Sequence, residues 1–192
     1  IEALVLGSRW VARRSEDARL GDAAANALAK ITAVLPPELR TPEAAYSVLH
    51  RLLQKAAMRV RSYGCIAGAM HVKVKYRDGS RWERQAHFDP TNDTLQLLDA
   101  LNRLWQAFPE KSQSPPYGVA VVLTQLDAQS QRSRSLFDQG RSHDRLNEVI
   151  DSVNLRYGRQ SLYFGGAYRA LNAAPMRIAF NHIPDLETES DD

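Results

Sequence analysis

The 192 residues are 44% hydrophobic, enough for one globular domain with a real core and an appended lobe. No apolar run approaches the length of a bilayer crossing, and the single cysteine, Cys65, excludes an intrachain disulfide and a multi-thiolate metal site. Net charge is +3, but Asp185, Glu187, Glu189, Asp191 and Asp192 crowd a C-terminal end free of Lys and Arg, so the body is more basic and suits a polyanionic partner, a balance that many non-binding proteins also reach.

The chain starts at Ile1, and residues 1–6 are apolar but for Glu2, without a cationic lead-in. This predicts a piece of a longer protein rather than a signal peptide. Residues 1–28 mix packing residues (Leu4, Val5, Leu6, Trp10) with a small polar run that suits a tether. Residues 29–35 predict a strand whose outward positions include Lys30 and Thr32. A helix follows over 42–62. Thr41 can cap it, and Pro42 sits where a missing N–H costs nothing. Ala45, Val48, Leu49, Leu52, Leu53, Ala56, Ala57 and Val60 form one apolar stripe, and Gly64 suits the left-handed position that ends it.

Over 69–77, Met70, Val72, Val74 and Tyr76 alternate with His71, Lys73, Lys75 and Arg77. Asp78-Gly79 signals a two-residue hairpin turn, and 81–88 returns as the partner strand. Tyr76 and Trp82 share the apolar parity, so core packing is expected of them rather than stacking on a ligand. Residues 93–108 predict a second helix with Leu97, Leu98, Leu101, Leu104, Trp105 and Phe108 on one face, stopped by Pro109. Residues 117–126 are apolar on both faces, as in a central strand. Residues 128–141 read as a polar linker interrupted by Leu136-Phe137. A third helix over 143–157, capped by Ser142, is expected to bury Leu146, Val149, Ile150, Val153 and Tyr157, with Gly158 ending it. That helix and residues 161–164 form an extra layer, residues 174–184 are extended, and 185–192 are a solvated acidic end.

The order strand, helix, strand, strand, helix, strand predicts an α+β fold. It is a four-stranded split β-α-β-β-α-β sheet with two helices on one face, plus a C-terminal helix/strand extension. Lys73, Lys75 and Arg77 then project from the other face.

No catalytic constellation accompanies this plan. There is no phosphate loop, and Gly165-Gly166 alone is no dinucleotide fingerprint. His50, His71, His87, His143 and His182 never pair at metal-ligand spacing. Asp78, Asp89 and Asp127 lie near strand ends, but they read as a turn residue, a loop residue before Pro90 and a strand end rather than a two-metal site. What remains is the row Lys73, Lys75, Arg77. Its repeat of about 6–7 Å is close to the spacing of successive phosphates. Such point charges position a backbone without reading sequence. A solvated basic strand would look the same, and spacing alone leaves both readings open.

The run Val34-Leu35-Pro36-Pro37-Glu38-Leu39-Arg40-Thr41-Pro42-Glu43 resembles the entry to the little finger of bacterial Y-family polymerases of the ImpB/MucB/SamB group. Lys55-Ala56-Ala57-Met58-Arg59-Val60-Arg61 and Val72-Lys73-Val74-Lys75-Tyr76 fit the same pattern. Asp151-Ser152-Val153-Asn154-Leu155-Arg156-Tyr157-Gly158-Arg159 is similar to the C-terminal extension of UmuC-like members. The patches keep their order across roughly 29–184. The resemblance implies a non-catalytic region that lays its sheet on primer–template DNA during damage bypass. Lys30, Thr32, Lys73, Lys75, Arg77, Arg81 and Arg84 become candidate phosphate contacts, although the parity of Arg84 groups it with Trp82 and Ala86. Ser133-Arg134-Ser135-Leu136-Phe137 resembles the family's sliding-clamp motif but keeps only its last two apolar anchors. Gln131 could replace the missing glutamine in a shifted register.

By the same resemblance, residues 1–28 would be a thumb remnant and tether, 29–127 the little finger, 128–141 the linker and 142–184 the extension. The expected partners are DNA, the sliding clamp and the palm, fingers and thumb of the parent chain, in the cytoplasm and away from membranes. No cofactor is expected in this chain; two magnesium ions would sit on palm carboxylates upstream. The competing reading is a stand-alone split β-α-β module for RNA or protein, which calls for an exposed aromatic pair on the sheet.

Overall fold

The computed structural model describes residues 30–109, 114–131, 143–158 and 161–170. Strand β1 (Lys30–Val34) leads through a 3-10 turn (Pro37–Leu39) into helix α1 (Pro42–Ser62). The Thr41 hydroxyl accepts the Ala44 N–H at 3.2 Å, which satisfies one of the free donors of the first turn. Gly64 follows the helix at φ +65°, as its position suggested. Every residue of the anticipated stripe, from Ala45 to Val60, is buried.

Strands β2 (Cys65–Tyr76) and β3 (Arg81–Thr91) form the hairpin. Its connection differs from the two-residue turn that Asp78-Gly79 suggested. Gly79 N–H donates to Tyr76 O at 3.2 Å and Tyr76 N–H to Ser80 O at 2.9 Å, so three residues, Arg77, Asp78 and Gly79, make the loop. The side-chain pattern explains the difference. A two-residue loop would set Lys75 against Trp82, whereas the observed register sets Val74 against Trp82 and Lys73 against Glu83. The extra residue requires a left-handed site, filled by Gly79 at φ +86°, and the Asp78 carboxylate accepts the Ser80 N–H and O–H at 2.8 and 2.6 Å. An added Cβ at position 79 meets nothing within 4 Å. Gly79→Ala should therefore lower the urea midpoint by an amount worth about 1 kcal/mol, through backbone conformation alone. Asp89 and Pro90 lie within β3, not in a loop; β3 is an edge strand, where Pro is tolerated.

Helix α2 (Thr94–Trp105) starts at Asp93, whose carboxylate accepts the Leu95 N–H at 2.8 Å. Strand β4 (Pro116–Ala128) completes the sheet in the order β1-β4-β2-β3, each neighbour antiparallel. β4 thus lies between β1 and β2, and β2 lies between β4 and β3. Two split β-α-β units interlock, and the strand that is apolar on both faces is central, as expected. Met70, Val72, Val74, Val119, Val121 and Leu123 meet Leu49, Leu52, Leu53, Leu97 and Leu101 in the core. Trp105 stacks on Phe108 with centroids 4.0 Å apart, and Trp82 meets both edge-on. Trp82 and Tyr76 are core residues, as their parity implied.

The third helix, α3 (Asp144–Tyr157), overturns its expected orientation. It buries Asn147 and Ile150, while Leu146, Val149 and Tyr157 are 40, 48 and 66% exposed and Val153 is half-buried. Polar anchors outweigh the apolar stripe. Arg61 forks onto Asp151 at 2.7 and 2.8 Å and donates to Asn92 O and Thr94 Oγ1, each at 2.8 Å. Thr94 N–H donates to Asn147 Oδ1 at 3.4 Å, and His143 Nδ1 lies 2.8 Å from Asp93 Oδ2. Burial pushes the Asp93 carboxyl up, but hydrogen bonds from the His143 ring and from Leu95 N–H outweigh it and hold the group below the usual carboxylate range.

Beyond α3, the described residues 161–170 contain a 3-10 turn (Gly165–Ala170) and no strand, and the expected extended stretch 174–184 lies outside the described residues. This turn packs on α1: Arg51 donates to Ala170 O, and Phe164 N–H donates to Gln54 Oε1 at 2.9 Å. Gly166 lies so close to His50 that a Cβ there would stand 2.6 Å from the imidazole. Ser142 and residues 171–192 lie outside the described residues.

Candidate nucleic-acid interface

Since α1 and α2 pack on the face carrying Val72, Val74, Val119 and Val121, the strand register fixes what the other face presents. Three rows cross the strands in the order β1, β4, β2, β3. They are Lys30–Val122–His71–Gln85, Thr32–Ala120–Lys73–Glu83 and Val34–Gly118–Lys75–Arg81. Along β4 the side chains are small at Gly118 and Ala120. Both positions are buried between their neighbours on β1 and β2.

The charges are not equivalent. Lys73 Nζ lies 3.4 Å from Glu83 Oε1, Arg81 Nε 2.5 Å from the same oxygen, and His71 Nε2 3.3 Å from Oε2. Desolvation pushes the Glu83 carboxyl up, but the Lys73 hydrogen bond and the charges of Arg81, Lys73 and His71 outweigh it and hold it below the usual range. Lys75 and Arg77 are exposed and have no ion-pair partner among the described residues. Of the anticipated row, Lys73 and Lys75 stand on the free face of β2, with Lys73 and its neighbour Arg81 already engaged by Glu83, whereas Arg77 lies in the hairpin loop because the three-residue turn ends β2 at Tyr76.

Arg84 does not join it. It pairs with Val72 on the helix side, its guanidinium 5.9 Å from the Trp82 ring centroid, and donates to Glu83 O at 3.0 Å. Parity along the strand dictates this. The pairing of β1 brings the Lys30 and Thr32 positions into the rows; their side chains lie outside the description. Gln131 ends a 3-10 turn (Gln129–Gln131), its side chain likewise outside, and Ser133, Leu136 and Phe137 fall beyond the described residues. Sequence reading missed Glu83, although its place opposite Lys73 follows once the hairpin register is known. It also missed Arg61, whose four contacts join segments far apart in the chain.

On the free face the described strands present no Phe, Tyr or Trp, so the aromatic platform of a base-stacking RNA module is missing there. Among the described residues, no three His, Cys, Asp or Glu side chains gather to hold a metal ion, and no helix is long and apolar enough to cross a membrane.

Residues 31–136 match the impB/mucB/samB family C-terminal domain. A comparison with curated proteins finds no match. Among solved structures, the chain is similar to one from a complex of the beta-clamp processivity factor and the little finger domain of PolIV. The identity is 15% and the TM-score 0.42, covering 57% of this chain and 97% of that one. It is also similar to Dbh DNA polymerase in a post-insertion binary complex, at 13% identity and TM-score 0.40, covering 52% of this chain and 28% of that one. For DinB from Sulfolobus solfataricus the values are 14% and 0.39, covering 64% and 40%. The chain spans less than half the length of these last two proteins.

Proposed function

This chain belongs to the impB/mucB/samB family by its C-terminal domain, and on that premise we propose that its free sheet face grips the backbone of primer–template DNA as the little finger of a Y-family translesion polymerase. The observation that supports this most directly is the pair Lys73 and Lys75 on β2, with Arg77 in the adjoining loop and Arg81 on β3, beside the small residues Gly118 and Ala120 of β4. Lysine ammonium groups on a strand act as point charges along a phosphate chain, so the grip is independent of sequence and weakens with salt.

In this reading polymerisation, its carboxylates and its magnesium belong to a palm outside residues 29–184. The duplex is held here, residues 1–28 tether the domain to the thumb, and the protein works in the cytoplasm. The segment with Gln131, Ser133, Leu136 and Phe137 would engage a sliding clamp weakly, because only the two apolar anchors of the motif are kept.

Fluorescence anisotropy on a DNA duplex across a salt series tests the reading. Lys75→Ala and Lys73→Ala should each weaken binding evenly across sequences and reduce the salt slope by about one unit. Lys75→Ala should lose more affinity, because Lys73 is partly occupied by Glu83. Unchanged slopes in both variants, or tighter and sequence-selective binding to RNA, would overturn it.

A further inference from the structure

Building on the DNA-gripping reading, we infer that Glu83 is a built-in counter-ion that a DNA phosphate must displace, and so sets how tightly the sheet face holds the duplex. The register forces the arrangement. Glu83 stands directly opposite Lys73, two residues from Arg81 on its own strand and diagonal to His71. One carboxylate thereby touches three cationic or protonatable side chains, at 3.4, 2.5 and 3.3 Å respectively. It is the acidic residue within the cationic patch, not at its margin. Glu83 itself is no member of the core; its neighbour Trp82 carries the helix-side packing of this stretch of β3.

The consequence is a graded interface. A phosphate reaching Lys75 or Arg77 meets no internal competitor among the described residues. A phosphate one step further along meets Lys73 and Arg81 already turned toward Glu83, and approaches a negative charge within a few ångströms. Like charges at that range in a partly exposed site repel appreciably at low salt and little at high salt. Glu83 therefore lowers the affinity of a patch that would otherwise bind DNA more strongly, a useful property in a grip that must let the duplex advance.

The test uses the whole chain and a blunt DNA duplex, followed by anisotropy at low and high salt. Glu83→Gln keeps the shape and hydrogen-bonding capacity but removes the charge, and should tighten binding about five- to tenfold at low salt, the gain fading as salt rises. Glu83→Ala should move affinity the same way. Asp99→Asn makes the same change in net charge on the helix side, next to Arg103, and should leave affinity unaltered. In a Lys73→Ala background the gain from Glu83→Gln should shrink. Equal tightening by Asp99→Asn, or no tightening by either Glu83 variant while Lys75→Ala still weakens binding, would overturn the counter-ion role and leave the DNA-gripping reading standing. Indifference of DNA affinity to Lys73, Lys75 and Glu83 together would remove that reading as well.

Discussion

Replacing Arg61 by alanine should cost about 3 kcal/mol of stability and release α3 from the body of the domain. The guanidinium is 14% exposed and Asp151 20%, so solvent screens the pair only partly. One side chain reaches three segments: Asp151 on α3, Asn92 after β3 and Thr94 at the start of α2. Its removal leaves a half-buried carboxylate and a backbone carbonyl without that donor. Arg61→Lys should recover little, because an ammonium cannot fork onto Asp151 and also reach both other acceptors. The measurement is hydrogen exchange over 144–157 with a urea titration. Exchange there should rise well ahead of α1 and the sheet. Protection equal to that of the unaltered protein would show that something other than Arg61 holds the helix.

Leu52→Ala should destabilise by a similar amount, about 3 kcal/mol. Leu52 is fully buried in the core that α1 forms with the sheet, so truncation leaves a cavity among rigid neighbours. The loss should appear in the denaturation midpoint and be absent from the salt slope of DNA binding measured well below that midpoint, because the free face keeps its charges. A changed slope would mean that the core sets the spacing of the cationic row.

These two residues also mark how far the sequence could be read. α1 was legible to the residue because capping, an unbroken stripe and a terminal glycine all agreed. The sheet was legible because alternation in β2 separates a helix-side face from a free face and continuous apolarity in β4 marks an inner strand. The hairpin loop was misread by one residue, since turn propensity is local while register is set by cross-strand pairing. α3 was misread more deeply. Its apolar periodicity is genuine, but Arg61, Asp93 and Thr94 dock the helix through Asp151, His143 and Asn147 respectively, and no local pattern reveals partners some 50 to 90 positions away. The cationic row was visible; Glu83 was not, because a carboxylate's effect on a site depends on which residues stand across from it.

The strand that joins the two halves of the sheet is also the last of the four to be made. Until residues 116–128 leave the ribosome, β1 has no strand to pair with, its register partners beginning at Gly118. Loop closure between 30–34 and 118–122 is a long-range event that local hairpin formation cannot replace. The domain is thus expected to assemble late and all at once. Premature termination anywhere before β4 would leave both α1 and the β2–β3 hairpin with exposed apolar faces, the kind of species that chaperones recognise and proteases remove.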